Sequence, residues 1–231
     1  DNVAYYWPPI YVTNETSETG GVILIPNEGA VAGLHARMDG LFRGPHKSAA
    51  GVNYGFQKVV DVERQSSGQE IIDDSGSDTL ADAPNFINTI RFKQNAIVAW
   101  GLRTQSTNET FRQVPVVRVV HLVYHSCYNE IEKFTFEPID SAGNLFARVE
   151  STLKGFLKRL HKDGVLYGNE PGAEPKDTDA YQVVCNRSNN TPETIGAGEL
   201  RVDVFIVPTP NAEQVRMNLA VAPPGFARGP K

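Results

Sequence analysis

The chain has 231 residues, 27 acidic against 22 basic side chains, a net charge of −5 and 40% hydrophobic residues. This composition suits one large soluble domain or two small ones. The acidic balance argues against a broad nucleic-acid footprint, which needs clustered Lys and Arg, and no apolar run approaches the ~18 residues of a membrane span.

Two cysteines, Cys127 and Cys185, are too few for a disulfide framework and point to a reducing compartment with free, buried thiols. Four N-x-S/T sequons, at Asn14, Asn108, Asn186 and Asn189, read as turn chemistry in the absence of a signal peptide. The chain starts at Asp1, a residue before which Met is usually retained, so a piece of a longer protein is expected.

Along the chain, residues 4–12 form an aromatic, Pro-interrupted extended segment that should make a strand and then a bend. Pro26, Asn27 and Glu28 open a short helix to about Asp39, with Asn27 as a possible cap and Gly40 closing it. Residues 44–55 read as loop. Residues 64–84 are polar, and their acidic run, 73–78, lacks the bidentate Glu of a calcium loop and suggests a solvated turn. Residues 97–100 have strand length. The stretch 114–136 mixes Val density with Pro115 at a possible first helical position, and reads as a short strand followed by a buried helix to about Lys133.

The clearest element is a helix over 144–163. Leu145, Phe146, Val149, Leu153, Phe156, Leu157 and Leu160 fall within one arc of roughly 120°, opposite Arg148, Lys154, Lys158, Arg159 and Lys162, and Gly164 terminates it. A Gly, Pro and charge-rich loop follows over 168–178. Strands are expected over 180–186, 199–208 and 213–221. Leu200, Val202, Val204 and Ile206 alternate with Arg201, Asp203, Phe205 and Val207, and Met217, Leu219 and Val221 alternate with Arg216, Asn218 and Ala220. Residues 223–231 form a tail. The fold class is α/β (α+β), a mixed sheet flanked by helices.

Chemistry is sparse. No phosphate-binding loop and no G-x-S-x-G elbow occurs. His121, His125, Cys127 and Glu130 come nearest to a metal constellation, since His residues four apart share a helix face. The Glu that a zinc protease places directly after its first His is missing, and a partly buried helix with marginal His is the simpler reading. Tyr5, Tyr6, Trp7 and Trp100 lack interleaved basic residues and suggest core packing over base stacking. No catalytic residue, metal or cofactor is assigned.

Three stretches together resemble the contractile-tail sheath family of phages and related injection machines. The first is 30–39, similar to an A-G-x-x-A-R-x-D helix, followed by Arg43-Gly44 and the small residues 48–51, and preceded by the aromatic-proline segment Tyr5-Tyr6-Trp7-Pro8. The second pairs Asn88-Thr89-Ile90-Arg91 with Trp100-Gly101-Leu102-Arg103-Thr104. The third runs through Phe156-Leu157, 164–168, 181–185, Gly198-Glu199-Leu200 and 208–213. The sequence departs from the family at Lys93-Gln94-Asn95, where a Gly-rich turn is usual, and at Asn211, which separates a usual Pro-Ala-Glu.

The resemblance implies one compact sheath core over 1–222, with conserved parts 1–113 and 114–222 and the outer domains absent. It implies a non-enzymatic subunit that polymerises with copies of itself as stacked hexameric rings around a tail tube protein, meeting baseplate and tail terminator, without nucleic-acid partner or membrane insertion. Such a subunit would reside in the virion's tail sheath and assemble in the bacterial host cytoplasm. Contraction would then drive the tube through the host envelope. A sheath of a related injection system is the alternative, and a metal-dependent enzyme through His121 and His125 a remoter one. Neighbours in such a sheath are linked by terminal strands joining each other's sheets, for which Glu213, Val215, Met217, Leu219 and Val221 are candidates; residues 4–12 are expected to pair at home. Lys154, Lys158, Arg159 and Lys162 are candidates for facing the tube.

Overall fold

A computed structural model describes residues 3–15, 20–64, 67–68, 73–168, 180–213 and 215–217. The extended N-terminal segment forms β1 (Tyr5–Trp7) and, past a bend at Pro8 and Pro9, β2 (Ile10–Thr13). Both pair within the chain. β1 runs parallel to β5 (Ile87–Lys93), which is antiparallel to β6 (Ala96–Trp100), in the order β1-β5-β6. β2 is central between β3 (Val22–Ile25) and β4 (Val59–Val62). The β5–β6 hairpin needs no glycine, because Gln94 and Asn95 both take positive φ, 46° and 66°, as a tight two-residue turn demands.

Helix α1 (Glu28–Phe42) packs against both sheets. Its Val31 joins Ile10, Val62, Ile90 and Ile97 in one core cluster, and its Leu34 and Met38 join Ala49 and Ala99 in a second. It outruns the expected end: Gly40 lies inside it, Arg43 closes it in the left-handed conformation, and the Asn27 side chain makes no cap. That side chain instead donates to the carbonyls of Tyr6 and Pro8 at 2.9 and 3.0 Å, tying the helix start to the β1–β2 bend.

Two readings are corrected. The acidic run is not a turn but opens α2 (Asp74–Ala81), with the Asp73 carboxylate accepting from Gly76 N–H at 2.6 Å. Carboxylates belong at a helix N-terminus, where they satisfy unpaired N–H groups and face the positive end of the dipole. The stretch after 113 contains no strand: α3 is one helix, Val114–Glu132, with Pro115 in its first turn. Val114, Val116, Val117 and Val119 are all buried, so its start is enclosed on every side and shows no 3.6-residue period. The β-branched penalty, ~0.5 kcal/mol per residue, is outweighed by burial worth roughly 1.5 kcal/mol or more per Val.

Helix α4 (Asn144–Lys162) matches its expected bounds and buries Leu145, Phe146, Val149, Leu153, Leu157 and Leu160. The Asp140 carboxylate accepts from Asn144 N–H and Leu145 N–H at 3.0 and 3.1 Å, which holds its carboxyl below the usual range. The apolar face of α4 meets α3, β7 (Tyr181–Val184) and β8 (Asp203–Ile206) in the largest core cluster, which also buries free Cys127 and Cys185.

β7 and β8 are shorter than expected because asparagines intercept the ladder. Asn189 donates to the carbonyls of Val184 and Arg201 at 2.8 and 3.2 Å, and the Asn190 side-chain oxygen accepts from Arg201 N–H at 2.7 Å. Asn108 and Asn186 likewise bond Thr110 N–H and Ser188 N–H, so these sequon asparagines do build turns. A short helix α5 (Pro192–Gly196) lies in the β7–β8 connection.

α3 ties the two halves together through Arg118, whose guanidinium reaches Asp39 of α1 at 3.0 Å and His35 Nδ1 at 3.4 Å, while His35 Nε2 lies 3.2 Å from the Tyr6 hydroxyl. No helix among the described residues is long and apolar enough to cross a membrane.

Candidate assembly interface

Among the described residues the β7–β8 sheet has two strands, in antiparallel register Tyr181↔Ile206, Gln182↔Phe205, Val183↔Val204 and Val184↔Asp203. Its inner face is covered by α4 and the core around it. On the other face Phe205 and Val207 are 59% and 44% exposed. In an antiparallel pair every second residue turns its N–H and C=O away from the partner. Among the described residues, Val183 on β7 and Val204 and Ile206 on β8 turn theirs toward no third strand. This outer face mixes Phe205 and Val207 with Gln182 and Asp203, and the open edge of a two-stranded ladder is a template for further pairing.

The expected strand over 213–221 is not formed at any described position: residues 213 and 215–217 pair with no strand of this chain. Alternating side chains specify a strand only when a partner ladder exists, and no described strand pairs with these residues. Glu213 is engaged at home, bonded to Arg103 at 2.9 Å, whereas Val215 and Met217 are 92% and 82% exposed. Leu219 and Val221 lie outside the described residues.

The four basic candidates project from the exposed side of α4. Lys154 pairs with Glu150 at 2.6 Å, and the Arg159 guanidinium stands over the Phe156 ring. Among the described residues, no ion pair engages Lys158 or Lys162. The free positive charge therefore sits on the C-terminal half of the helix, where the dipole also favours cations.

The possible metal constellation is pulled apart by the helix. Cys127 is in the core, where burial pushes its thiol up to about 11, while His121 and His125 lie on the exposed side. No group of three or more potential ligands converges among the described residues. The aromatic reading needs a correction too: Tyr5 and Trp100 are 57% and 36% exposed, Trp100 carrying Lys93 over its ring. An open groove of about 740 Å³ runs between α2, the 47–54 loop and residues 211–213 and 215–216. Within its charged lining Arg103 is paired with Asp82 and Glu213.

No protein-family model matches the sequence, and no curated protein does. Solved structures do. The chain matches a protein of the anti-feeding prophage baseplate (6-fold symmetrised) at 26% identity and TM-score 0.78, covering 95% of this chain and 55% of that one. The fold is that of a contractile-sheath protein. It also matches the sheath complex of the PVC extracellular contractile injection system in its contracted state, at 25% identity and TM-score 0.76, covering 94% and 55%. The helical sheath of the anti-feeding prophage, contracted, matches at 25% identity and TM-score 0.74, covering 94% and 55%. The chain thus spans about half the length of these proteins.

Within the sheath fold, the sequence motifs turn out to be joints. The Asn88 side chain, 1% exposed, accepts from Arg103 N–H at 2.7 Å and donates to the carbonyls of Arg103 and Tyr5 at 2.8 and 3.1 Å. Gly101, at φ 150°, lies so close that an added Cβ would stand 2.6 Å from Asn88 Oδ1. Asn88 and Gly101 therefore fix where Arg103 emerges. The open β7–β8 ladder and the Arg103–Glu213 link are the features sequence reasoning missed. The available signal was a charged residue, Arg103, directly beside an apolar strand.

Proposed function

We propose that this chain is the conserved body of a sheath subunit in a contractile phage tail or a related injection system, working by self-assembly rather than catalysis. The observation that carries this reading is the overlap with sheath proteins across 94–95% of the chain. The geometry fits it. Among the described residues the β7–β8 ladder meets no third strand, and the exposed residues Val215 and Met217 lie in an alternating stretch whose described positions join no strand. Segments from neighbouring copies completing that ladder would satisfy both, by strand addition.

In this reading the subunits form hexameric rings stacked around a tube, bounded by a baseplate and a terminator, in a particle assembled inside the bacterial host. Contraction is then a switch between two packings of nearly rigid bodies, with the strand links as hinges. A bias of about 1–3 kcal/mol per subunit sums over many copies, which needs no nucleotide. The unpaired Lys158 and Lys162, with Lys154 and Arg159, would hold an acidic tube surface in the extended state, through salt-sensitive contacts suited to release.

Electron microscopy and sedimentation of the full-length protein test this: hollow striated tubes are expected, and a monomer at every concentration refutes it. Reversing charge at Lys158 and Arg159 should lower co-assembly with the tube in low salt and leave sheath-only tubes intact. Unchanged co-assembly refutes the tube-facing assignment.

A further inference from the structure

The C-terminal segment is fastened to the body at a series of points over residues 209–213. Thr209 N–H bonds the Val165 carbonyl at 3.1 Å and its hydroxyl donates to the Gly164 carbonyl at 2.8 Å, at the end of α4. Asn211 follows. Its side-chain oxygen accepts from Ser48 N–H at 3.1 Å and its amide donates to the His46 carbonyl at 2.9 Å. The Asn211 backbone is read in turn by the Gln113 side chain, which accepts from its N–H and donates to its carbonyl, both at 2.9 Å. Each primary amide thus imitates one rung of a β ladder, where no strand is present on either side. Glu213 is held as well, against Arg103 at 2.9 Å and Gln113 at 3.3 Å. Beyond it Val215 and Met217 stand in solvent.

These bonds come from separate places: the turn after α4, the loop at 46–48, the start of α3 and the strand exit at Arg103. Gln113 sits at the N-cap of α3 yet makes no capping bond with its side chain, so its amide is spent on the segment alone. We infer that Asn211, Gln113 and Arg103 form an anchor that sets the point and heading at which the C-terminal segment leaves the body, and thereby whether it reaches a neighbouring copy. This inference rests on the assembly reading above, and assigns positioning roles to three residues that do not themselves pair with the neighbour. Chain that loses its bonds at 211 and 213 samples a wider volume, which lowers the effective concentration of its strand at the neighbour's edge.

The test uses the full-length protein with Asn211→Ala and Gln113→Ala, and with Asn211→Asp, which keeps the acceptor for Ser48 N–H and loses the donor to His46. Amide exchange over 210–217 and the pelletable tube fraction are followed together. The alanine variants should keep the wild-type circular dichroism, raise exchange by about tenfold or more, and cut tube formation by a similar factor, with Asn211→Asp in between. Raised exchange with undiminished tubes overturns the anchor, and so does unchanged exchange. Should Asn211→Ala fail to fold, Gln113→Glu serves instead, since it removes the donor and repels Glu213. Wild type that never forms tubes refutes the assembly reading itself, a result separate from either anchor outcome.

Discussion

His35 makes folding sensitive to mild acid. Its Nδ1 faces the Arg118 guanidinium, a permanent donor, so that nitrogen must carry the lone pair, and Nε2–H then donates to the Tyr6 hydroxyl. Protonation would place a second positive charge against Arg118 in a half-buried site. Burial first, and Arg118 second, lower its pKa from 6.5 to about 4, with Asp39 opposing. The folded state therefore binds fewer protons than the unfolded chain between those values. The contribution is full above about pH 6.5 and is lost as pH falls toward about 4, where the total cost reaches about 3 kcal/mol at 1.36 kcal/mol per unit. At about pH 4.5 some 2.5 kcal/mol should already be gone. Urea unfolding at several pH values between about 7 and 4.5 measures it, comparing wild type with His35→Gln, which keeps polarity and cannot titrate. The variant should begin less stable and lose less. Stability curves for the two proteins that fall in parallel across this window would refute the assignment; His46, also lowered by burial, would then be the group to test.

Leu157→Ala, at a fully buried position of α4, should cost about 3 kcal/mol in chemical unfolding, through lost transfer energy plus the cavity left behind. Two glycines should respond in opposite directions: Gly101→Ala drives a Cβ into Asn88 and should cost roughly 2–4 kcal/mol, whereas Gly155→Ala, on the exposed side of α4 with open space around it, should gain about 1 kcal/mol, both read from thermal midpoints. Burial pushes the thiols of Cys127 and Cys185 up to about 11, so neither should react with a thiol reagent near neutral pH until denaturant is added; rapid labelling of either in the native protein would contradict its burial.

The sequence by itself determined whatever a single element can encode. α4 was legible to within one residue because one side of it meets a core and the other meets water, so the 3.6-residue period is written without interruption. The bend at Pro8, the terminator Gly164 and the alternation at 200–207 were legible for the same local reason. The order of the sheath motifs along the chain carried the fold class. What tertiary structure decided are the places where the environment is not two-sided or the partner is distant. The start of α3 is surrounded by core and shows no period, so its valines look like a strand. The acidic run becomes α2 because β5 offers it a surface, with Ser77 and Thr89 sharing a buried hydrogen bond of 2.7 Å. The anchor joins residues 98 and 163 positions apart, and amide side chains that replace ladder rungs leave no periodic trace. Hydrogen bonds between such distant groups depend on coordinates that only the packed chain supplies.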